Sequence, residues 1–140
     1  MKTPLVLLAA VALAATPLLA EDAARPAPAA VPAGAAKNVS PDEAEKLLKD
    51  NPKIVVLDVR TPEEFAKGHI AGAKNVDFKA ADFAEKVAAL DKGKTYLVHC
   101  AAGGRSGKTI DLMKASSFAA VYHLNEGFKA WEKTGKPVEK

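Results

Sequence analysis

One cysteine, Cys100, stands in a chain of 140 residues, and that scarcity excludes a disulfide scaffold because a single thiol has no internal partner. Charge of one sign is also missing. The 20 Lys and Arg and 17 Asp and Glu are interspersed, with no basic cluster of the kind nucleic-acid binding needs. Long apolar runs are absent too. The one candidate, Leu5 to Ala15, is too short and too close to Pro4 and Pro17 for a membrane span. A lone cysteine is then either a buried inert residue or a reactive thiol, and its surroundings must decide.

The apolar run has the layout of a secretion signal. Lys2 supplies the positive start, and Pro17-Leu18-Leu19-Ala20 precedes the acidic Glu21-Asp22 with small or apolar residues at the cleavage positions. Residues 1–20 are therefore expected to be a signal peptide, with an uncleaved anchor as the alternative. No cysteine follows the run, which excludes a lipoprotein. Residues 21–37 are rich in Ala and Pro without apolar periodicity and read as a linker. Residues 38–140 remain as one folded domain, long enough for a single core.

Within that domain helices and strands alternate. Ser40-Pro41-Asp42-Glu43 and Thr61-Pro62-Glu63-Glu64 are capping boxes with Pro at the first helical position. The first opens a helix to about Lys49, and the second a short helix ended by Gly68. Ile54 to Asp58 and Tyr96 to Val98 are short apolar runs, the mark of strands buried on both faces. A brief strand is expected around Val76, within Ala73 to Phe78, and a last one over Ala119 to Leu124. Helical spacing runs over Ala80 to Leu90, Ser106 to Ser116 and Glu126 to Lys133. Connections too long for hairpins make this an α/β fold, a parallel sheet of about five strands with helices on both faces. Working sites in such sheets lie at the carboxyl ends of strands, where Cys100 falls.

Cys100 is followed by Ala101-Ala102-Gly103-Gly104-Arg105-Ser106 and then a helical pattern, so backbone N–H groups and a helix N-terminus favour an anionic sulfur. Three readings compete for this loop. Ala102 to Thr109 fits a relaxed phosphate-binding pattern ending in Gly107-Lys108-Thr109, but it comes late in the chain, with no later strand well placed to offer a magnesium-binding Asp. A cysteine phosphatase has five residues between Cys and Arg, whereas four separate Cys100 from Arg105. The shorter cradle suits a single sulfur atom better than a phosphate ester.

The third reading is a sulfurtransferase. Leu57-Asp58-Val59-Arg60-Thr61-Pro62-Glu63-Glu64-Phe65, Gly68-His69-Ile70-Ala71-Gly72-Ala73-Lys74-Asn75, the Cys100 loop, and Val121-Tyr122-His123-Leu124-Asn125-Glu126-Gly127-Phe128-Lys129-Ala130-Trp131 follow in order. Together they cover nearly the whole folded unit, and the chain resembles a single-domain rhodanese of the exported bacterial type. That resemblance implies a rhodanese-like sheet and a thiosulfate sulfurtransferase working in the periplasm. In it, Cys100 takes a sulfane sulfur from thiosulfate or a similar donor, holds it as a persulfide, and yields it to cyanide or a thiol. It further implies that Ala101, Ala102, Gly103, Gly104, Arg105 and Ser106 form the persulfide-binding loop, with no metal or other cofactor. Asp58, Arg60, Glu64 and His69 are implied as structural supports. The expected species is a monomer whose partners are small molecules, with no nucleic acid and no stable membrane association after cleavage. Arg105 either contacts the donor's anionic end or turns away to brace the loop on Glu64. His99 is adjacent to the thiol in sequence, but strand side chains alternate faces, so it is not assigned as a base. Alternatives of other classes are a persulfide carrier serving a specific partner and a rhodanese-like binding module. Ala101 and Ala102 stand where a cationic side chain often follows the cysteine in thiosulfate-using relatives, which leaves the natural donor open.

Overall fold

Five short segments pair in parallel to make one sheet in the order β1-β5-β4-β2-β3. A computed structural model describes residues 35–140. The strands are β1 (Ala36–Val39), β2 (Val55–Asp58), β3 (Lys74–Asn75), β4 (Thr95–His99) and β5 (Ala120–Leu124). Between and after them run α1 (Pro41–Asp50), α2 (Pro62–Lys67), α3 (Phe83–Ala88), α4 (Gly104–Ala115) and α5 (Gly127–Lys133). The expected signal peptide, and the linker up to residue 34, lie outside the described residues. No helix among the described residues is long and apolar enough to cross a membrane.

Alternation along the strands divides the core between the two faces of the sheet. Leu57, Val59, Tyr96, Val98, Cys100 and Val121 pack with Phe83 and Val87 of α3 and Ile110 and Met113 of α4. Val39, Val56, Leu97, Tyr122 and Leu124 pack on the other side with Ala44 of α1 and Phe128 and Trp131 of α5. Helices thus cover both faces, as the alternating pattern requires. Cys100, one residue past β4, is on the α4 side.

The helix starts follow their local chemistry. Ser40 and Thr61 each close a reciprocal capping box, with Glu43 and Glu64 respectively, and each is followed by Pro. Several boundaries differ from the sequence reading, among them α4, which opens at Gly104 rather than Ser106. β1 begins at Ala36, so Ala36 and Lys37, placed in the linker by composition, pair with Val121 and Tyr122. Only Val39 of this strand is buried, and no apolar run announces it. β3 is two residues long, although the N–H groups of Val76 and Phe78 still donate to the Asp58 and Val59 carbonyls. α3 starts at Phe83 rather than Ala80, because Asp82 makes no side-chain cap and the preceding residues form turns instead.

The end of β2 is held by a buried ion pair. Asp58 is wholly inaccessible, and Arg60 is 4 % exposed. Asp58 accepts from the Arg60 backbone N–H at 2.9 Å, from Nε at 3.0 Å and from a terminal guanidinium nitrogen at 2.6 Å. The same terminal nitrogen donates to the Gly68 carbonyl at 2.7 Å, and the guanidinium lies 4.0 Å above the Phe128 ring. Asn75 bridges the carbonyls of Asp58 and Arg60. His69 is a connector of the same kind. It stacks on Phe65 at 3.8 Å, its Nδ1 meets the Phe65 carbonyl at 3.0 Å, and its backbone pairs with Glu139. Substituting Asp58→Ala strands the Arg60 guanidinium in the core. Loss of one partner from a buried pair costs about 3–5 kcal/mol, so urea unfolding of Asp58→Ala is expected to show a midpoint far below wild type. An unchanged midpoint would mean the pair contributes nothing to the fold.

Candidate active site

β4 is flanked by β2 and β5 and delivers Cys100 to the carboxyl edge of the sheet. The loop that follows is shaped by backbone-to-backbone contact with the turn between β5 and α5. Gly103 has φ +102°, and a Cβ there would sit 2.1 Å from the Asn125 carbonyl oxygen. Gly127 has φ +75°, and a Cβ there would sit 2.4 Å from the Ala101 carbonyl oxygen. Only glycine meets both demands, positive φ and absence of a side chain. The first N–H groups of α5 then complete the clamp. Phe128 donates to the Cys100 carbonyl at 2.8 Å and Lys129 to the Ala101 carbonyl at 3.1 Å.

That clamp decides where the loop N–H groups point. A trans peptide directs its C=O and N–H oppositely. Holding the Ala101 carbonyl outward against α5 therefore turns the Ala102 N–H inward. The Gly103 N–H donates to Cys100 Sγ at 3.0 Å, and Ser106 Oγ lies 3.4 Å from the same sulfur. Burial pushes the thiol's pKa up, but the Ser106 hydroxyl and the N–H groups of Ser106, Ala102 and Gly103 outweigh it. The net effect holds Cys100 below the ordinary thiol range.

Arg105 makes its hydrogen bonds with a carboxylate rather than with the sulfur, though its charge and that of Cys100 interact. Its two terminal nitrogens fork onto the Glu64 carboxylate at 2.8 and 3.0 Å. Glu64 is also the capping-box residue of α2, so the fork ties the start of α2 to the loop. The Arg105 guanidinium is the main reason the Glu64 carboxyl is lowered from 4.5 to about 2. A depressed carboxylate stabilises the fold fully above its unfolded value, and that contribution is lost as pH falls through about 2. Asp58, Arg60 and His69 contribute to the scaffold and make no contact with the sulfur. Ala101 is half-buried, Ala102 and Gly104 are exposed, and none of the three offers a charge.

His99, adjacent to Cys100 in sequence, points to the opposite face. It is wholly buried, its ring lies 6.0 Å from that of Phe128, and Nδ1 meets the Cys100 carbonyl at 3.1 Å. A carbonyl only accepts, so Nδ1 carries the proton. Among the described residues Nε2 has no hydrogen-bond partner, and it lies 3.7 Å from Asp58. Burial chiefly holds this imidazole below its ordinary value, against the pull of the Asp58 carboxylate.

Two residues outside the sequence-derived set join the site. His123 Nε2 lies 2.7 Å from Ser106 Oγ, and His123 Nδ1 lies 3.2 Å from Asn38 Oδ1. Strand parity is the sequence signal that points to His123, since it shares a face with Val121. Reading that signal requires knowing which face α4 covers.

The phosphate-loop reading fails on where the helix starts. α4 begins at Gly104, which places Gly107 at the close of its first turn and Lys108-Thr109 in its second. Thr109 is buried there with its hydroxyl donated to the Arg105 carbonyl, and the inward N–H groups address a thiol.

Comparison with known proteins agrees with this geometry. A family model described as a rhodanese-like domain matches residues 40–134. The chain is 42% identical over 94 residues to thiosulfate sulfurtransferase 16, chloroplastic, of Arabidopsis thaliana, a match covering 59% of this chain and 78% of that one. It is 32% identical over 99 residues to thiosulfate sulfurtransferase GlpE of Ectopseudomonas mendocina, covering 70% and 86% respectively. Among solved structures, a rhodanese-related protein from Thermoplasma volcanium superposes with a TM-score of 0.65 at 28% identity, covering 74% of this chain and 97% of that chain. A rhodanese-like domain protein from Staphylococcus aureus gives 0.63 at 29% identity, covering 74% and 99%.

The clamp between Gly127 and Ala101 is directly testable. Gly127→Ala forces either the loop or the turn to move, and misplacement of about 1 Å costs up to ~100-fold in reactions that depend on aimed groups. Iodoacetamide is expected to alkylate Cys100 of this variant roughly tenfold or more slowly at neutral pH. An unchanged rate would mean that the contact does not aim the loop.

Proposed function

The chain belongs to the rhodanese family, and on that premise we propose that it is a sulfurtransferase working through a Cys100 persulfide. The observation that carries this reading is the cradle itself, with the Gly103 N–H at 3.0 Å and the Ser106 hydroxyl at 3.4 Å from one sulfur in a loop too short for the phosphatase spacing. The Cys100 thiolate attacks the outer sulfur of thiosulfate or a similar donor. A new S–S bond forms, the donor's S–S bond breaks, and sulfite departs with the electron pair. An acceptor, cyanide or a thiolate, then attacks the outer sulfur and releases the Cys100 thiolate. The inward N–H groups stabilise the anionic sulfur in both half-reactions without a metal.

A second reading has its own support. Ala101 and Ala102 are neutral and Arg105 is engaged by Glu64, so the loop mouth offers little positive charge to a dianion. That favours a carrier that loads one sulfur and yields it to a partner thiol. Intact mass after incubation with thiosulfate is expected to rise by one sulfur, reversed by cyanide. Continuous thiocyanate formation marks an enzyme, and a single equivalent marks a carrier. Cys100→Ser is expected to lose both signals while melting cooperatively, and retained sulfur loading in that variant would overturn the proposal.

The first twenty residues support export as a further part of this reading, with the folded unit acting in the periplasm as a monomer. The mature protein is expected to begin near Glu21 and to be recovered from the periplasmic fraction. A full-length chain held in membranes would mean that Leu5 to Ala15 act as an anchor.

A further inference from the structure

We propose that His123 is the proton acceptor that ionises Cys100, working through the Ser106 hydroxyl, with Asn38 setting its tautomer. This rests on reading Cys100 as the nucleophile, and it adds a relay that reading does not need. Four elements build the relay. Asn38 of β1 and His123 of β5 are paired in register, and Val98 of β4 stands opposite His123 on its other side. Cys100 lies two residues beyond Val98, on the same face of the strand. α4 crosses that face and places Ser106, wholly buried, between the thiol and the imidazole. The distances run 3.4 Å from Sγ to Oγ, 2.7 Å from Oγ to Nε2 and 3.2 Å from Nδ1 to Asn38 Oδ1.

Proton counting gives the chain its direction. With the Asn38 carbonyl oxygen accepting, Nδ1 carries the proton and Nε2 presents a lone pair. Ser106 Oγ also lies 3.1 Å from the Gly103 carbonyl, but Nε2 at 2.7 Å is the nearer acceptor for its one hydroxyl proton, which leaves an oxygen lone pair for the Cys100 S–H. Shifting two protons one step each turns the neutral thiol and imidazole into thiolate and imidazolium. Cys100 loses a proton to Ser106 Oγ, Ser106 passes its own to Nε2, and net charge is conserved. No heavy atom has to move. The imidazolium then supplies the positive charge that Ala101 and Ala102 do not.

Other groups are poorly placed for this role. The Arg105 cation is forked onto Glu64, and His99 lies on the opposite face with its Nδ1–H donated to the Cys100 carbonyl. Around His123 the titratable groups are Asp111 and Lys114 from α4 and His99 from β4, while β1 contributes the neutral Asn38. Burial and Lys114 disfavour the imidazolium, and Asp111 favours it. Their net effect holds His123 below its ordinary value, and in the relay the Cys100 thiolate, one hydroxyl away, adds to Asp111 in stabilising the imidazolium.

Cys100 is the only cysteine, so alkylation of the full chain by iodoacetamide reads its ionisation without any sulfur transfer. In His123→Gln and in Ser106→Ala the midpoint of the rate–pH profile is expected to rise by about one unit or more. That is a drop of about tenfold at pH 6, restored as pH rises and hydroxide takes the proton. Asn38→Asp is expected to lower the midpoint, because a carboxylate beside Nδ1 favours the imidazolium. A purely structural role would change the melt or the rate at every pH without moving the midpoint. Because the Ser106 hydroxyl also bonds the sulfur directly, Ser106→Ala moves the midpoint with or without a relay, and an unmoved midpoint in His123→Gln would overturn it. Nitrogen-15 NMR of the wild type tests it with no substitution. Both His123 nitrogens are expected to be protonated where Cys100 first becomes reactive, and a neutral ring there would overturn the proposal. Missing sulfur transfer alongside shifted midpoints would overturn the functional reading and leave the relay standing.

Discussion

The contact between the Cys100 loop and the turn into α5 governs the rest of the site. Two glycines, Gly103 and Gly127, let backbone meet backbone, and the first N–H groups of α5 hold the carbonyls of Cys100 and Ala101 outward. Because peptide groups are planar and trans, fixing carbonyls on one side fixes N–H groups on the other. The thiol is thus surrounded by donors that belong to the main chain and need no reorganisation when the sulfur becomes anionic. β5 and α5 are packed into the sheet and core, so the loop's geometry is as rigid as the fold that carries it.

Cations near this site serve the scaffold. Arg60 is buried between Asp58, the Gly68 carbonyl and the Phe128 face, where it joins the end of β2 to the element after α2 and to α5. Arg105 joins the loop to the capping box of α2. Both guanidiniums are matched to carboxylates that already hold backbone N–H groups, Asp58 that of Arg60 and Glu64 that of Thr61. A planar fork satisfies several acceptors at once, which suits Arg to such joints better than Lys. The consequence for chemistry is that no guanidinium is hydrogen-bonded to the sulfur, and aimed dipoles are its direct partners.

Much of the architecture follows from local sequence. The capping boxes at Ser40 and Thr61, the apolar runs of β2 and β4 and the small residues after Cys100 involve neighbours within a few positions, and such interactions survive as readable patterns. β1 escaped because its strand character comes from pairing with β5 rather than from its own composition. The motif ending in Gly107-Lys108-Thr109 misleads for a related reason. A pattern records residue spacing, whereas the chemistry depends on which residue begins the helix, and Gly104 begins it.

By itself the sequence determined the family, the alternating α/β order, the single thiol and the residue types around it. Tertiary structure decided what those residues face. Arg105 is paired with Glu64, 41 positions away, Ser106 meets His123, 17 away, and His123 meets Asn38, 85 away. It also separated two histidines that sequence distance ranks the other way, turning adjacent His99 from the sulfur and bringing distant His123 to within one hydroxyl of it. The physical reason is that a strand shows its alternation in sequence, but which face meets α4, and which strand lies beside which, are set only when the whole sheet packs.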